Sequence, residues 1–289
     1  VSVRVTYTGA RGYRPLEITS LPVTHDALVR TYEQVWSDEF NGIAGGLPDS
    51  SVWAPENGDG VAFGNRGWGN SERQWYKQEL STTDGNGSLI VRATRTGAAD
   101  QHCYYGACEW FSSKYVTKGK VGFKYGRIEA TIKAPTGAGT WPAFWMLGTD
   151  LTEIGWPECG EIDILEMRGR DPETLVSTVH GPGYCGEHGS GTEIPCPPLN
   201  EGFHTFGVDW LEDSITWHLD GKPFHTVTPE TVAPNRWAFN HPFYIVMNLA
   251  IGGGFTGDVD PALTSAEMQV EAVRVYSIDG IGEVNFGLK

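Results

Sequence analysis

The chain has 289 residues, and 36 acidic against 21 basic side chains leave a formal charge of −15, which argues against nucleic acids and disfavours highly sulfated polymers, because such partners demand clustered Lys and Arg. No apolar run approaches the roughly 18 residues of a membrane-spanning helix, so a membrane is not an expected partner either. The 38 glycines, 17 prolines and 11 tryptophans favour one large, turn-rich β-sandwich over two average domains, with Trp and Tyr at hand to stack on sugar faces.

Strand-like alternation opens the chain at Val1-Ser2-Val3-Arg4-Val5. Residues 1–30 nevertheless lack the aromatic and glycine texture of the rest of the chain, and are expected to be an N-terminal extension or added edge strand ahead of a single domain over 31–289. Alternation returns at Ser88–Ala93, Gly126–Ile132 and Glu271–Tyr276, with the period of two that marks a strand. Asp84-Gly85, Asn86-Gly87 and Asp220-Gly221 are turn dipeptides between such runs, the last closing Ile215-Thr216-Trp217-His218-Leu219. No long amphipathic helix interrupts them, and the tail after Tyr276 carries no pattern. Short strands at this spacing imply an all-β sandwich or barrel.

Five cysteines leave at least one unpaired within the chain. Cys103 and Cys108 flank a turn-like Tyr104-Tyr105-Gly106-Ala107, and Cys185 and Cys196 bracket a Gly-, Ser- and Pro-rich loop, so two local disulfides are expected, with Cys159 left over as a small buried filler. Disulfides imply an oxidising, extracellular setting. The N-terminal Val, with no apolar leader behind it, reads as a mature or trimmed form of a secreted protein.

The informative segment is Trp156-Pro157-Glu158-Cys159-Gly160-Glu161-Ile162-Asp163-Ile164-Leu165-Glu166-Met167-Arg168. On a strand Glu161 and Asp163 share one face and Ile162 and Ile164 the other, but Glu166 has the wrong parity. One extra residue at Ile164-Leu165, a β-bulge, would return Glu166 to the acidic face and Met167 to the apolar one. A row of like charges destabilises a sheet, whereas crowded carboxyls let one stay protonated as an acid and another ionised as a nucleophile, the division of labour of glycoside hydrolysis. Three readings stay open on the residues alone: a glycosidase, a cation site, and a solvated acidic face.

The segment Glu161-Ile162-Asp163-Ile164-Leu165-Glu166 resembles the bulged E-x-D-x-x-E signature of glycoside hydrolase family 16, in its laminarinase-like endo-β-1,3-glucanases. Val35–Phe40, Gly67-Trp68-Gly69-Asn70, Gly139–Gly148, Ser177–Gly181 and Asn248–Gly253 are similar to the same group in order and spacing, together a far more specific set than one motif. The resemblance implies a β-jelly-roll of two antiparallel sheets with a concave substrate cleft, and a catalytic domain over 31–289. It implies Glu161 as nucleophile, Glu166 as general acid and base, Asp163 tuning both, and net retention. Asn70, Trp141, Trp145, Trp156 and His180 would bind substrate, Trp141 and Trp145 from one face of a strand. Ser71, Arg73 and Trp75 depart from the Asn, Gln and Tyr frequent in relatives, which leaves the outer subsites open.

No catalytic cofactor is implied, but a structural calcium is, at positions matching Glu39, Gly87 and Glu271, with Glu271 where Asp is more usual. The expected activity is secreted, monomeric hydrolysis of internal β-1,3 bonds in laminarin- or curdlan-like glucans. A mixed-linkage β-1,3-1,4-glucanase and a non-catalytic glucan-binding module are the alternatives, and the presence of both Glu161 and Glu166 speaks against the second.

Overall fold

The computed structural model describes residues 29–287 and, as backbone, the strands Arg4–Tyr7 and Leu16–Thr19. Two compact units result, Val1–Thr31 and Tyr32–Lys289. In the first, Arg4–Tyr7 pairs antiparallel with Leu16–Thr19; the start of the strand expected at Val1 lies outside the described residues.

The second unit is a β-jelly-roll sandwich. Its larger, ten-stranded sheet runs in the order Lys222–Val227, Ser214–Leu219, His204–Leu211, Gly126–Lys133, Ser265–Ile278, Leu89–Thr94, Trp110–Ser112, Gln74–Tyr76, with Tyr32–Asp38 also pairing with Ser265–Ile278 and Ser81–Thr83 with Leu89–Thr94. The smaller, nine-stranded sheet runs Ser190–Pro195, Thr174–His180, Glu161–Glu166, Thr140–Gly148, Phe243–Ile251, Lys114–Val116, Ala54–Pro55, with Val121–Lys124 also pairing with Phe243–Ile251 and Glu283–Phe286 with Val121–Lys124. Pairing is antiparallel as expected, with one exception in the larger sheet, where Trp110–Ser112 lies parallel to Gln74–Tyr76. The tail, patternless in sequence, continues the sheet, since Glu283–Phe286 pairs with Val121–Lys124. Among the described residues the α-helices are single turns, Leu151–Ile154 and Pro229–Val232.

The expected turn at Asp220-Gly221 forms with both residues at positive φ, 51° and 72°, the geometry that a two-residue hairpin needs to match strand twist. Alternation decides which side chains enter the core. Ile128, Ala130 and Ile132 from one sheet meet Phe144, Met146, Ile162 and Ile245 from the other, all buried. Each such aliphatic or aromatic side chain contributes about 1.5–3 kcal/mol by leaving water.

The bulge appears where the parity of Glu166 requires it. Glu161, Ile162 and Asp163 pair with Leu147, Met146 and Trp145, whereas Leu165 and Glu166 pair with Phe144 and Ala143, leaving Ile164 over. Both Ile164 and Leu165 are then buried in the core, with Met167 beside them. Two buried side chains meet the carbonyls at this irregularity: Ser177 Oγ donates to Ile164 O at 3.0 Å, and Trp217 Nε1, from the opposite sheet, donates to Asp163 O at 2.8 Å.

Cys103 and Cys108 are bonded as expected, but Cys185 and Cys196 are free. The stretch between them is not a loop: Ser190–Pro195 is an edge strand in register with Thr174–Val179. Cys196 follows this strand directly, whereas Cys185 precedes the 3-10 turn Gly186–His188 at its other side, so an extended strand lies between two thiols whose bonding would require a Cα separation of about 4.4–6.8 Å. Cys159 is buried against Val116, Leu147 and Tyr244, and burial pushes its thiol up to about 12, consistent with an inert filler.

Trp217→Phe, which removes the donor to Asp163 O while keeping most of the ring, is expected to cost about 1–3 kcal/mol in denaturant unfolding, the penalty of an unpaired buried carbonyl; unchanged stability would mean that this carbonyl finds another partner.

Candidate active site

The face of the smaller sheet turned away from the core floors a cleft of about 1340 Å³. Glu161, Glu166, Trp141, Trp145, Trp156, His180 and Asn70 all line it, and Asp163, only 3% exposed, sits in its floor between the two glutamates. The expected catalytic and substrate-binding residues therefore converge. The strand that carries the acids starts from Gly160, whose φ of +73° and approach to Ala238 O, 2.8 Å from where a Cβ would sit, exclude any side chain.

Each acid has a dedicated neighbour. Trp156 Nε1 donates to Glu161 Oε2 at 2.6 Å, Trp141 Nε1 donates to Glu166 Oε1 at 3.1 Å, and His180 Nε2 lies 3.1 Å from Asp163 Oδ2. Trp156 is 46% exposed, and its ring lies 6.1 Å from that of His180, so it offers sugar a free indole face. Trp141 differs from expectation. It is 8% exposed and covered by Phe255 at 4.7 Å between centroids, so its main contribution is the N–H that it gives Glu166, while Trp145, partly open to the cleft, remains the stacking surface of that strand.

Burial and mutual repulsion raise the whole row. Burial first, then the charge of Asp163, push Glu161 up to about 8, while burial and then the charge of Glu161 push Glu166 up to about 7. Asp163 also stands well above the usual carboxylate range, through burial and the charge of Glu166. The indole N–H groups and His180 pull the glutamates back towards ionisation. Near neutral pH the row thus holds protons and negative charge together, which lets one carboxyl protonate a leaving group while another attacks. Glu161, Asp163 and His180 also bring one donor atom each within 4.8 Å of one another, a set that would suit a cation; its atoms are those of the acid row itself.

Arg73 pairs with Glu109 and stacks on Tyr105, and Trp75 packs beside the Cys103–Cys108 hairpin, so these two side chains are engaged outside the cleft lining. Glu72 and Tyr76, on the opposite parity, line the cleft with Asn248. None of the three stands out in the sequence reading, although Asn248 is the one amide in the apolar strand Phe243–Ile251, a visible signal.

Of the three expected calcium ligands, the Glu39 carboxylate is already engaged. Glu39 gives both carboxylate oxygens to Arg274, at 2.9 and 2.7 Å, and this guanidinium holds it below the usual range. Gly87 approaches Glu39 O, and Glu271 is exposed.

Comparison with known proteins places these features in a family. The family model described as glycosyl hydrolases family 16 matches residues 70–274. A beta-glucanase of Rhodothermus marinus is 36% identical over 260 residues, covering 85% of this chain and 85% of that protein. The glucan endo-1,3-beta-glucosidase A1 of Niallia circulans is 36% identical over 281 residues, covering 90% of this chain but 40% of that longer protein. The X-ray structure of endo-beta-1,3-glucanase from Pyrococcus furiosus superposes with a TM-score of 0.81 at 42% identity, covering 86% of this chain and 95% of that one.

The raised acids predict a stability signature. A carboxyl whose folded value exceeds its unfolded one binds protons that the unfolded chain has released, so it lowers stability progressively as pH rises from the unfolded value near 4.5 through about 7–8. Glu161→Gln and Glu166→Gln are therefore expected to unfold later than wild type at about pH 7.5, by on the order of 1–3 kcal/mol, with the gap closing near pH 4. A gap that is the same at both pH values would show that these carboxyls are not raised.

Proposed function

The chain belongs to glycosyl hydrolases family 16, and we propose that it is a retaining endo-glycosidase that hydrolyses internal β-1,3-glucosidic bonds of laminarin- and curdlan-like glucans. The observation that carries this reading is the bulged row of Glu161, Asp163 and Glu166 on the floor of an aromatic cleft, each acid with its own polar partner.

In the proposed sequence Glu161 attacks the anomeric carbon while Glu166 gives its proton to the departing glycosidic oxygen. The carbon–oxygen bond of the glycoside breaks as an ester to Glu161 forms, and Glu166 is left as a carboxylate. Glu166 then takes a proton from water, whose oxygen displaces Glu161 at the same carbon, so two inversions give retention. Asp163, with His180 against it, is a third titrating group beside the pair and sets how protons are shared. Trp156 holds the nucleophile's oxygen by its N–H, and Trp145 and Trp156 supply faces on which sugar rings stack.

The β-1,3 preference draws on similar proteins, an endo-beta-1,3-glucanase from Pyrococcus furiosus and the Niallia glucan endo-1,3-beta-glucosidase among them. A mixed-linkage enzyme would use the same acids in a differently shaped cleft. The Cys103–Cys108 disulfide supports an extracellular site of action, where a monomer meeting its polysaccharide suffices. A calcium at Glu39, Gly87 and Glu271 would have to draw Glu39 away from Arg274, so the arrangement does not fit the ion as it stands and no chemical step depends on one. Exhaustive chelation is accordingly expected to leave the thermal midpoint unchanged within about 1 °C, whereas loss of one calcium held well above its Kd would lower stability by about 3 kcal/mol or more.

The decisive assay is chromatographic product analysis on laminarin, curdlan, lichenan and agarose in parallel. Oligosaccharides from laminarin and curdlan are expected; products from lichenan alone would make the protein a mixed-linkage enzyme, and none from any of the four would make it a binding module. Glu161→Gln and Glu166→Gln should each lower kcat on laminarin by at least about 10³-fold, each removing a chemical step. With an aryl β-glucoside whose phenolate leaves without a proton, Glu166→Gln should still release the first equivalent of phenol and Glu161→Gln should not. The reverse order would exchange the two roles.

A further inference from the structure

Glu72 is a carboxylate that the reaction does not use, and it is 5% exposed in one wall of the cleft. It accepts three hydrogen bonds: Gln74 Nε2 at 2.5 Å and Tyr76 O–H at 3.2 Å to Oε2, and Asn70 Nδ2 at 3.3 Å to Oε1. The polarity of this network is forced at every link. The indole of Trp145 is a donor only, so the 2.7 Å contact to Asn248 makes Oδ1 the acceptor. The amide nitrogen of Asn248 must then donate to the Tyr76 oxygen, at 3.2 Å. Having accepted there, Tyr76 spends its own proton on Glu72. Gln74 is fixed in the same sense, because its Oε1 accepts from Ile251 N at 2.8 Å, leaving its nitrogen for Glu72. The chain of donors that starts at a sugar-facing indole thus ends on a buried anion.

Burying a carboxylate is costly unless partners satisfy it, and burial does push Glu72 above the usual carboxylate range against the pull of Gln74, Lys114, Asn70 and Tyr76. Lys114 Nζ sits 4.1 Å from the Trp68 ring centroid and 5.2 Å from that of Trp145, bonded to Glu56 at 2.9 Å. Both ends of the Glu72 network, Asn70 and Trp145, line the cleft on the same side as Glu161 and Glu166.

We propose that Glu72 is a positioning residue for glucan binding, orienting the Asn70 amide directly and the Trp145 indole through Tyr76 and Asn248, so that both meet the sugar pre-set. The proposal rests on the β-glucanase reading of the cleft. Pre-organised groups cost a ligand no ordering on binding, so loss of the anchor should weaken affinity while the acid row keeps its chemistry.

The test pairs Glu72→Gln with Tyr76→Phe, which cuts the link to Asn248 and leaves Asn70 on Glu72. Steady-state kinetics on laminarihexaose and calorimetric binding of the same oligosaccharide are measured at 25 °C, and melting is followed separately. Each variant is expected to raise KM and Kd about tenfold, the equivalent of about 1.4 kcal/mol, with kcat within about twofold of wild type. The double variant should lose little more affinity than Glu72→Gln alone, because the two act through one relay. A merely structural glutamate would lower the melting temperature and leave KM and Kd alone, and that result, or additive losses, overturns the proposal. Wild-type protein that neither binds nor cleaves laminarihexaose would instead sink the functional reading on which it rests.

Discussion

Three carboxyl groups on one face of one strand repel one another, and a sheet tolerates this only if the same strand is held strongly from behind. Here the restraint is the apolar reverse of the acid row. Ile162, Ile164, Leu165 and Met167 are all buried in the core, and at about 1.5–3 kcal/mol each they outweigh the repulsion between neighbouring acids, which is of the order of 1 kcal/mol for a cross-strand pair. The bulge makes the two faces compatible. Without it, Glu166 would enter the core and Met167 the cleft.

The electrostatics of the cleft follow from that placement. A floor lying on a packed core is poorly hydrated, so the acids rise towards neutrality and keep a proton at pH values where a free carboxyl has lost it. The indoles of Trp141 and Trp156 moderate the rise by donating to the ionised forms. Tryptophan is suited to both duties of such a cleft, since its N–H addresses an acid while its face addresses a sugar. Trp156 has room for both, whereas the Trp141 ring is covered by Phe255 and its N–H addresses Glu166.

Parity makes much of this legible in the sequence. A period-two pattern says which residues share a face, and a polar residue that breaks the pattern announces a bulge, so the acid row, its apolar underside and the Trp145 face can all be read from residue order. What parity cannot say is which face of a strand has a second layer over it, and Trp141 departs from expectation for that reason. The Cys185–Cys196 pairing fails because a Gly-, Ser- and Pro-rich stretch reads as a loop; its backbone pairing with Thr174–Val179 is set by the neighbouring strand rather than by its own composition. Glu72 escapes notice because a lone acid after Gly-Trp-Gly-Asn reads as surface, and only the approach of Asn248 from a distant strand, through Tyr76, turns it into an anchor.

The bond from Trp217 to the carbonyl of Asp163 crosses from one sheet to the other through the middle of the core. It fastens the backbone between the two glutamates to the most protected layer of the molecule, where amides open only when everything opens. The catalytic backbone is consequently not a mobile loop resting on a rigid scaffold, and it has no private route to disorder. Sugar can come and go along the cleft and side chains can turn within it, while the spacing of the acids lasts as long as the sandwich does, so heat should abolish turnover and tertiary structure in one transition.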